Sequence, residues 1–133
     1  MSPSRRLQSV GTGCSFAWVD DEAREEAEAL LARDLGAVAE LSALLRRMLT
    51  GRLRANTDYK QFKMVDDEPY LFELRLDSAS PRPRLYFVEE SHTDGARATG
   101  LALVEKPRRG SVAEQRPKQN AQARDAYARR QHM

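Results

Sequence analysis

Basic side chains are the residues of this chain whose types and spacing could do chemistry. Arg75 and Arg84 fall on two consecutive predicted strands, and Lys106, Arg108 and Arg109 follow a third. Neighbouring strands lie about 4.8 Å apart, so cations on adjacent strands can converge on one patch. Clustered Arg and Lys side chains bind phosphates and can stabilise the charge that develops when a 2′-hydroxyl attacks its own phosphodiester. The spacing therefore predicts a phosphate-binding patch on a sheet.

A purely structural interpretation of the same cations stands beside this one. Arg75 could pair with Glu73 or with an acid on a neighbouring strand, and Arg108 and Arg109 could simply be solvated. Most surface charges are of this kind and contribute little on their own. The sequence leaves both interpretations open.

Metal and nucleophile chemistry finds little support in the sequence. The chain holds two His and one Cys, and His92 and His132 fall in a predicted turn and near the C-terminal end. No His/Cys cluster has the spacing of metal ligands. No Gly-x-Ser-x-Gly, P-loop or dinucleotide-binding motif is present. We therefore predict no metal and no cofactor.

Length, cysteine use and hydropathy bound the class of protein. The 133 residues suit one domain. The single Cys14 excludes an intrachain disulfide and favours a reducing, cytoplasmic compartment. A helix that crosses a bilayer needs about 20 consecutive apolar residues, and no segment is close to that length. We therefore predict no membrane association. Residues 105–133 hold eight Lys or Arg against three acids, which makes this end basic in a chain of net charge +2.

The first half of the chain is predicted to place a strand before two helices. We assign residues 1–14 to a mobile leader and residues 15–131 to a single domain. Residues 15–19 are aromatic and β-branched, which favours a strand, and Asp20 can cap the helix that follows. Helix-forming residues dominate 21–49, with a break at Leu35 and Gly36. Gly51 suits the left-handed residue that ends a helix. The short connection predicts a helical hairpin.

The second half is predicted to form strands and one last helix. Residues 52–67 are polar and irregular, and from Tyr70 to Leu76 the apolar residues alternate with period two. Residues 84–89 and 99–104 form two further predicted strands, separated by turns at 78–83 and 91–97. Pro117 can open a final helix over 118–131. The predicted fold class is α+β: an N-terminal strand, a helical hairpin, a three-stranded antiparallel meander and a C-terminal helix.

This order of elements, together with several short stretches of sequence, resembles the RelE/ParE superfamily of toxins from type II toxin–antitoxin systems, especially its HigB-like branch. Residues 70–75 (YLFELR) resemble the family's YELR strand, and residues 84–87 (RLYF) resemble the strand after it. Residues 101–109 (LALVEKPRR) are similar to the basic segment that ends its third strand. Residues 116–118 (RPK) resemble the opening of its last helix. The resemblance covers about residues 15–131.

The resemblance implies an activity and partners. Members of this branch cleave mRNA on the ribosome without a metal, and a cognate antitoxin protein neutralises them. It also implies which side chains do this. The catalytic set is Arg75, Arg84, Lys63 and Arg108. The RNA-binding set is Lys106, Arg109, Lys60 and Lys118. Two alternatives stay open: a non-enzymatic ParE-like inhibitor of DNA gyrase, and a non-toxic, phage-derived binding module.

The sequence departs from the family at one catalytic position. No tyrosine or histidine follows directly after Arg109, where some ribonuclease members carry a catalytic aromatic residue. Tyr127 lies too far along the chain for that role, and His92 lies in the preceding turn. We therefore predict stabilisation of the phosphate rather than strong general acid–base catalysis.

Overall fold

A computed structural model of the chain describes residues 7, 9, 11–62, 69–76, 83–92, 95–105, 121 and 124–128, with the side chains of 91 and 92 excepted. Their elements are ordered as a strand, two helices and four further strands. Residues 121 and 124–128 are also helical, which agrees with a C-terminal helix at the positions that can be compared. The protein is thus α+β, as the sequence predicts.

Two capped helices follow the first strand, β1 (Ser15–Trp18). Helix α1 (Asp21–Leu31) begins at Asp20, whose side chain accepts a hydrogen bond from the Ala23 nitrogen over 2.7 Å. Helix α2 (Leu35–Leu49) begins in the same way at Asp34. An N-cap carboxylate satisfies one of the free nitrogens of a first turn and complements the helix dipole. The break predicted at residues 35–36 is therefore wrong by a few positions, because Asp34 caps the second helix and Gly36 lies inside its first turn.

One mixed sheet of five strands carries the rest of the chain. Strands β2 (Tyr59–Gln61), β3 (Leu71–Arg75), β4 (Pro83–His92) and β5 (Gly95–Glu105) pair antiparallel in this order. Strand β1 pairs parallel with β5, so the sheet order is β1-β5-β4-β3-β2. The predicted antiparallel meander is confirmed as β3, β4 and β5.

The structure differs from the prediction at the edges of the meander. Strand β2 lies in the region predicted to be irregular, because three residues are too few to show a period. Strand β4 continues to His92 and β5 begins at Gly95, so most of the turn predicted over residues 91–97 is paired strand. Long strands tolerate polar residues where one face is open to water. The sequence pattern therefore does not predict this part of the hairpin as strand.

The two faces of the sheet differ in what covers them. Both helices pack on one face, where apolar side chains of α2 meet Phe72, Leu74, Leu85 and Phe87 in the larger core cluster. The opposite face carries a smaller cluster that includes Tyr86 and is partly covered by the start of α1 and by Ala126 of the C-terminal helix. Alternate residues of a strand point to opposite faces. Arg75 and Arg84 belong to this second face.

The segment before β1 contacts the domain at several of its described residues. Leu7 and Ser9 are buried; the Leu7 nitrogen donates to the Tyr59 hydroxyl and the Ser9 nitrogen to the Glu89 carboxylate. Gly11 and Gly13 both have positive φ, and the Gly11 nitrogen donates to the Gly51 carbonyl. Composition predicts a mobile leader over residues 1–14, whereas Leu7, Ser9 and Cys14 are buried against the domain. Residues 1–6, 8 and 10 lie outside the described residues.

Candidate phosphate-binding site

Arg75 and Arg84 lie directly opposite each other on β3 and β4. The Leu76 nitrogen donates to the Pro83 carbonyl one position along, which makes 76/83 the hydrogen-bonded position. Hydrogen-bonded and non-hydrogen-bonded pairs alternate along antiparallel strands, so Arg75 and Arg84 form a non-hydrogen-bonded pair. The Cα atoms of such a pair are about 4.5 Å apart, which brings the side chains close together. The sheet therefore places the two arginines next to each other on one face.

The two arginines are held with little freedom. Arg84 is buried, and its Nη1 donates to the carbonyl of Pro83 over 3.1 Å. The Arg75 side chain is 26% exposed, and its Nε lies 3.4 Å from Glu73 Oε1. Arg75 Nη1 also donates to the Asn56 carbonyl over 3.4 Å. The structural interpretation, an Arg75–Glu73 pair, is thus confirmed. Both contacts of Arg75 are long, which leaves its guanidinium able to bind an anion.

A second row of polar side chains crosses the same face next to the arginines. Lys60 on β2 pairs with Glu73 on β3, and Glu73 pairs with Tyr86 on β4. Lys60 is exposed at the free edge of the sheet, whereas the Glu73 side chain is only 13% exposed. Like charges opposite each other on a sheet repel. At these paired positions the face carries three cations, Lys60, Arg75 and Arg84, and one carboxylate, Glu73.

Tyr86 places an unusual hydroxyl at the centre of this face. It is fully buried, and its oxygen has no hydrogen-bond partner among the described residues. The Phe62 ring meets its ring edge-on, with centroids 5.8 Å apart. Burial raises the pKa of the Tyr86 phenol, the charge of Glu73 raises it further, and Arg84 partly opposes this. The phenol is therefore a proton-bearing donor at neutral pH.

A β-bulge adjoins Tyr86 and displaces β5 at this point. The register shifts between Tyr86, which pairs with Ala102, and Phe87, which pairs with Gly100. Leu101 is left as the extra residue and is fully buried in the same cluster as Tyr86. Bulges re-aim side chains and occur beside binding sites.

Asp58 supports the site from the loop before β2. Its carboxylate is 5% exposed and accepts hydrogen bonds from Arg47 Nη1, from Arg54 Nη2 and Nε, and from the Arg54 backbone nitrogen. Charge-assisted bonds of this kind are the strong ones, and Asp58 correspondingly raises the pKa of Arg54. The Asp58 carbonyl accepts the backbone nitrogen of Arg75. The loop is thus fixed both to α2 and to the strand that carries Arg75.

Three of the residues predicted for the site are brought together on one face: Arg75, Arg84 and Lys60. The others lie outside the described residues, and these are Lys63, Lys106, Arg108, Arg109 and Lys118. Sequence reasoning missed the part played by Tyr86 and by Asp58. The alternation along β4 was the available signal for Tyr86, since a residue two positions after Arg84 shares its face.

No family model, no curated protein and no solved structure matches the chain. Among the described residues, no three His, Cys, Asp or Glu side chains lie close enough together to hold a metal ion. Within the same part of the chain, no helix has the length and apolar character needed to span a membrane.

Proposed function

We propose that this chain is the toxin of a toxin–antitoxin pair and that it acts in the cytoplasm as a ribosome-dependent mRNA endonuclease. The observation that supports this best is the pair of Arg75 and Arg84 on one sheet face, with Lys60 beside it at the sheet edge. Guanidinium groups bind phosphate oxygens in a fixed, bidentate geometry, which favours them where a phosphodiester must be held.

The reaction that such a site supports is cleavage of RNA by its own 2′-hydroxyl. A bond forms between the 2′-oxygen and phosphorus while the bond from phosphorus to the 5′-oxygen breaks. The proton lost by the 2′-hydroxyl is balanced by one gained by the leaving oxygen, and the products are a cyclic phosphate and a 5′-hydroxyl. Negative charge builds on the phosphoryl oxygens along the way. Fixed cations aimed at that charge stabilise the transition state more than the ground state.

The order of the described elements and the resemblance to the RelE/ParE superfamily support the same proposal. A protein antitoxin is then the expected partner. An antitoxin that neutralises this chain must cover or distort the face that carries Arg75 and Arg84, because the chemistry is done there. Basic residues that follow β5, including Arg108 and Arg109, extend the proposed RNA contact.

Controlled induction in bacteria tests the proposal. The wild-type chain should arrest growth, and Arg75→Ala should relieve the arrest while the protein stays soluble. Arg24→Ala on α1 is the matched control, since it removes an equal charge from an exposed pair with Asp21 and Glu28. Normal growth with confirmed soluble wild-type protein would point to the non-toxic module. Arrest with intact mRNA and a DNA-damage response would point to the gyrase inhibitor. Either outcome contradicts the proposal.

A further inference from the structure

The Tyr86 hydroxyl is the described polar group whose environment the rest of the fold does not explain. A buried hydroxyl normally has a hydrogen-bond partner, and an exception calls for a reason such as a contact made only when a ligand binds. Tyr86 has no exposed surface, and its oxygen has no partner among the described residues. Replacing it with Phe would keep the packing, so a purely structural role does not account for the oxygen.

Glu73 lies between this hydroxyl and the arginine pair. It is directly opposite Tyr86 at a non-hydrogen-bonded position, where the side chains of a cross-strand pair are closest. Its Oε1 lies 3.4 Å from Arg75 Nε, so its carboxylate takes the place beside Arg75 that an external anion would need. Glu73 therefore has both Arg75 and Tyr86 as neighbours and one carboxylate to share between them.

We propose that Glu73 occupies the anion site of the free protein and moves to the Tyr86 hydroxyl when a phosphodiester binds Arg75, next to the buried Arg84. The inference rests on the proposed function, because it assumes that the site takes a phosphate group of RNA. The incoming charge repels Glu73 and replaces it at Arg75. The phenol then donates to the displaced carboxylate, so the buried hydroxyl is satisfied only in the bound state. No proton changes hands in this exchange.

This arrangement makes Tyr86 a positioning residue and Glu73 an internal competitor. A weak anion does not displace a carboxylate already held close to Arg75. A phosphodiester can, because it also meets the charge of the buried Arg84 and, along the RNA backbone, reaches the exposed Lys60. The site therefore selects for a ligand that contacts several of these cations at once.

Binding of a fluorescent, unstructured RNA oligonucleotide to four proteins tests the exchange: wild type, Glu73→Gln, Tyr86→Phe and the double variant. Glu73→Gln should tighten binding by about twofold to fivefold, because the partly buried Arg75–Glu73 ion pair no longer competes with the ligand. Tyr86→Phe should weaken binding by a similar factor. In the Glu73→Gln background the Tyr86→Phe effect should disappear, because no displaced carboxylate remains to be held.

Two control variants separate this exchange from general effects. Glu28→Gln removes an equal charge from an exposed pair with Arg24 and should leave RNA binding unchanged. Tyr59→Phe removes a buried hydroxyl that does have a partner, the Leu7 nitrogen. It should lower the melting temperature and leave RNA binding unchanged, whereas Tyr86→Phe should not lower the melting temperature of the free protein.

Independent effects of Glu73→Gln and Tyr86→Phe would overturn the exchange, as would weaker binding by Glu73→Gln. These results differ from failure of the proposed function, which would appear as RNA binding that does not depend on Arg75. In that case inorganic phosphate replaces RNA as the probe. Binding by the same four proteins is then measured as the difference between the melting temperature in phosphate and that in chloride at the same ionic strength. A double-variant effect equal to the sum of the single effects would again overturn the exchange.

Discussion

The backbone carbonyl of Asp58 accepts a hydrogen bond from the backbone nitrogen of Arg75 over 2.9 Å. The carboxylate of the same Asp58 binds Arg47 of α2 and Arg54 of the loop. One buried residue thus connects the helix layer, the loop after it and the strand that presents Arg75. The position of Arg75 therefore depends on a residue outside the proposed phosphate site.

Asp58→Asn should lower the free energy of unfolding by about 1–2 kcal/mol. Hydrogen bonds to a charged group contribute about 1.5–3 kcal/mol, and the exposure of Arg47 and Arg54 reduces this. Urea unfolding measures the change. Glu28→Gln, whose pair with Arg24 is exposed, should change stability by less than about 0.5 kcal/mol. Equal losses in the two variants would contradict a special role for Asp58.

Gly13→Ala should destabilise the protein far more than Gly11→Ala. Both glycines have a φ of +86°, so both substitutions carry the strain of a left-handed backbone, about 1–2 kcal/mol. A Cβ on Gly13 would lie 2.0 Å from the Leu49 carbonyl oxygen, whereas nothing lies within 4 Å of one on Gly11. Thermal unfolding of the two variants gives the difference. Similar melting temperatures would mean that the segment before β1 does not dock against the end of α2 in solution.

Stability should fall at alkaline pH because of Tyr86. Above about pH 10 an unfolded tyrosine loses its proton, whereas the raised pKa of Tyr86 keeps the folded protein protonated. The unfolded state then binds fewer protons, so the free energy of unfolding falls as pH rises. The fall is about 1.4 kcal/mol for each pH unit above that point.

Tyr86→Phe isolates this effect. Urea unfolding measures how much the free energy of unfolding falls between pH 8 and pH 11. This fall should be about 1.4 kcal/mol smaller in Tyr86→Phe than in the wild type. Burial also raises the pKa of the Cys14 thiol, but Cys14 is present in both proteins and its contribution cancels. Parallel curves for the two proteins would show that the phenol is not buried as described.

The salt dependence of RNA binding should report the arginine pair. Removing one cation that neutralises a phosphate of single-stranded nucleic acid reduces the slope of log affinity against log salt by about 0.7. Arg75→Ala should therefore lower the slope by about 0.7, while Arg24→Ala should leave it unchanged. Titrations of one oligonucleotide at several salt concentrations measure both. An unchanged slope for Arg75→Ala would mean that this side chain binds no phosphate.

Much of the fold could be predicted from local patterns. The period of two from Tyr70 to Leu76 and the capping residue Asp20 each depend on a few neighbouring residues. The parallel pairing of β1 with β5 joins segments about 80 residues apart and leaves no local trace. Strand β2 is equally invisible, because Tyr59 and Gln61 become buried only through contacts made by the folded sheet.

The candidate site was partly predictable for the same reason. Arg75 and Arg84 were identified by type and by their places on successive strands. That they are direct cross-strand partners follows from the register between β3 and β4, which the sequence pattern does not encode. The buried Tyr86 hydroxyl was not foreseen, since a tyrosine in an apolar strand is usually a core residue whose oxygen reaches a partner.

Mapping of mRNA 5′ ends after brief induction tests the central claim most directly. The wild-type chain should produce new 5′-hydroxyl ends within translated codons, and Arg75→Ala should reduce them at least tenfold at equal protein level. Arg24→Ala should cut like the wild type. A wild-type sample whose 5′ ends match those of uninduced cells, despite arrested growth, would contradict the proposed nuclease activity.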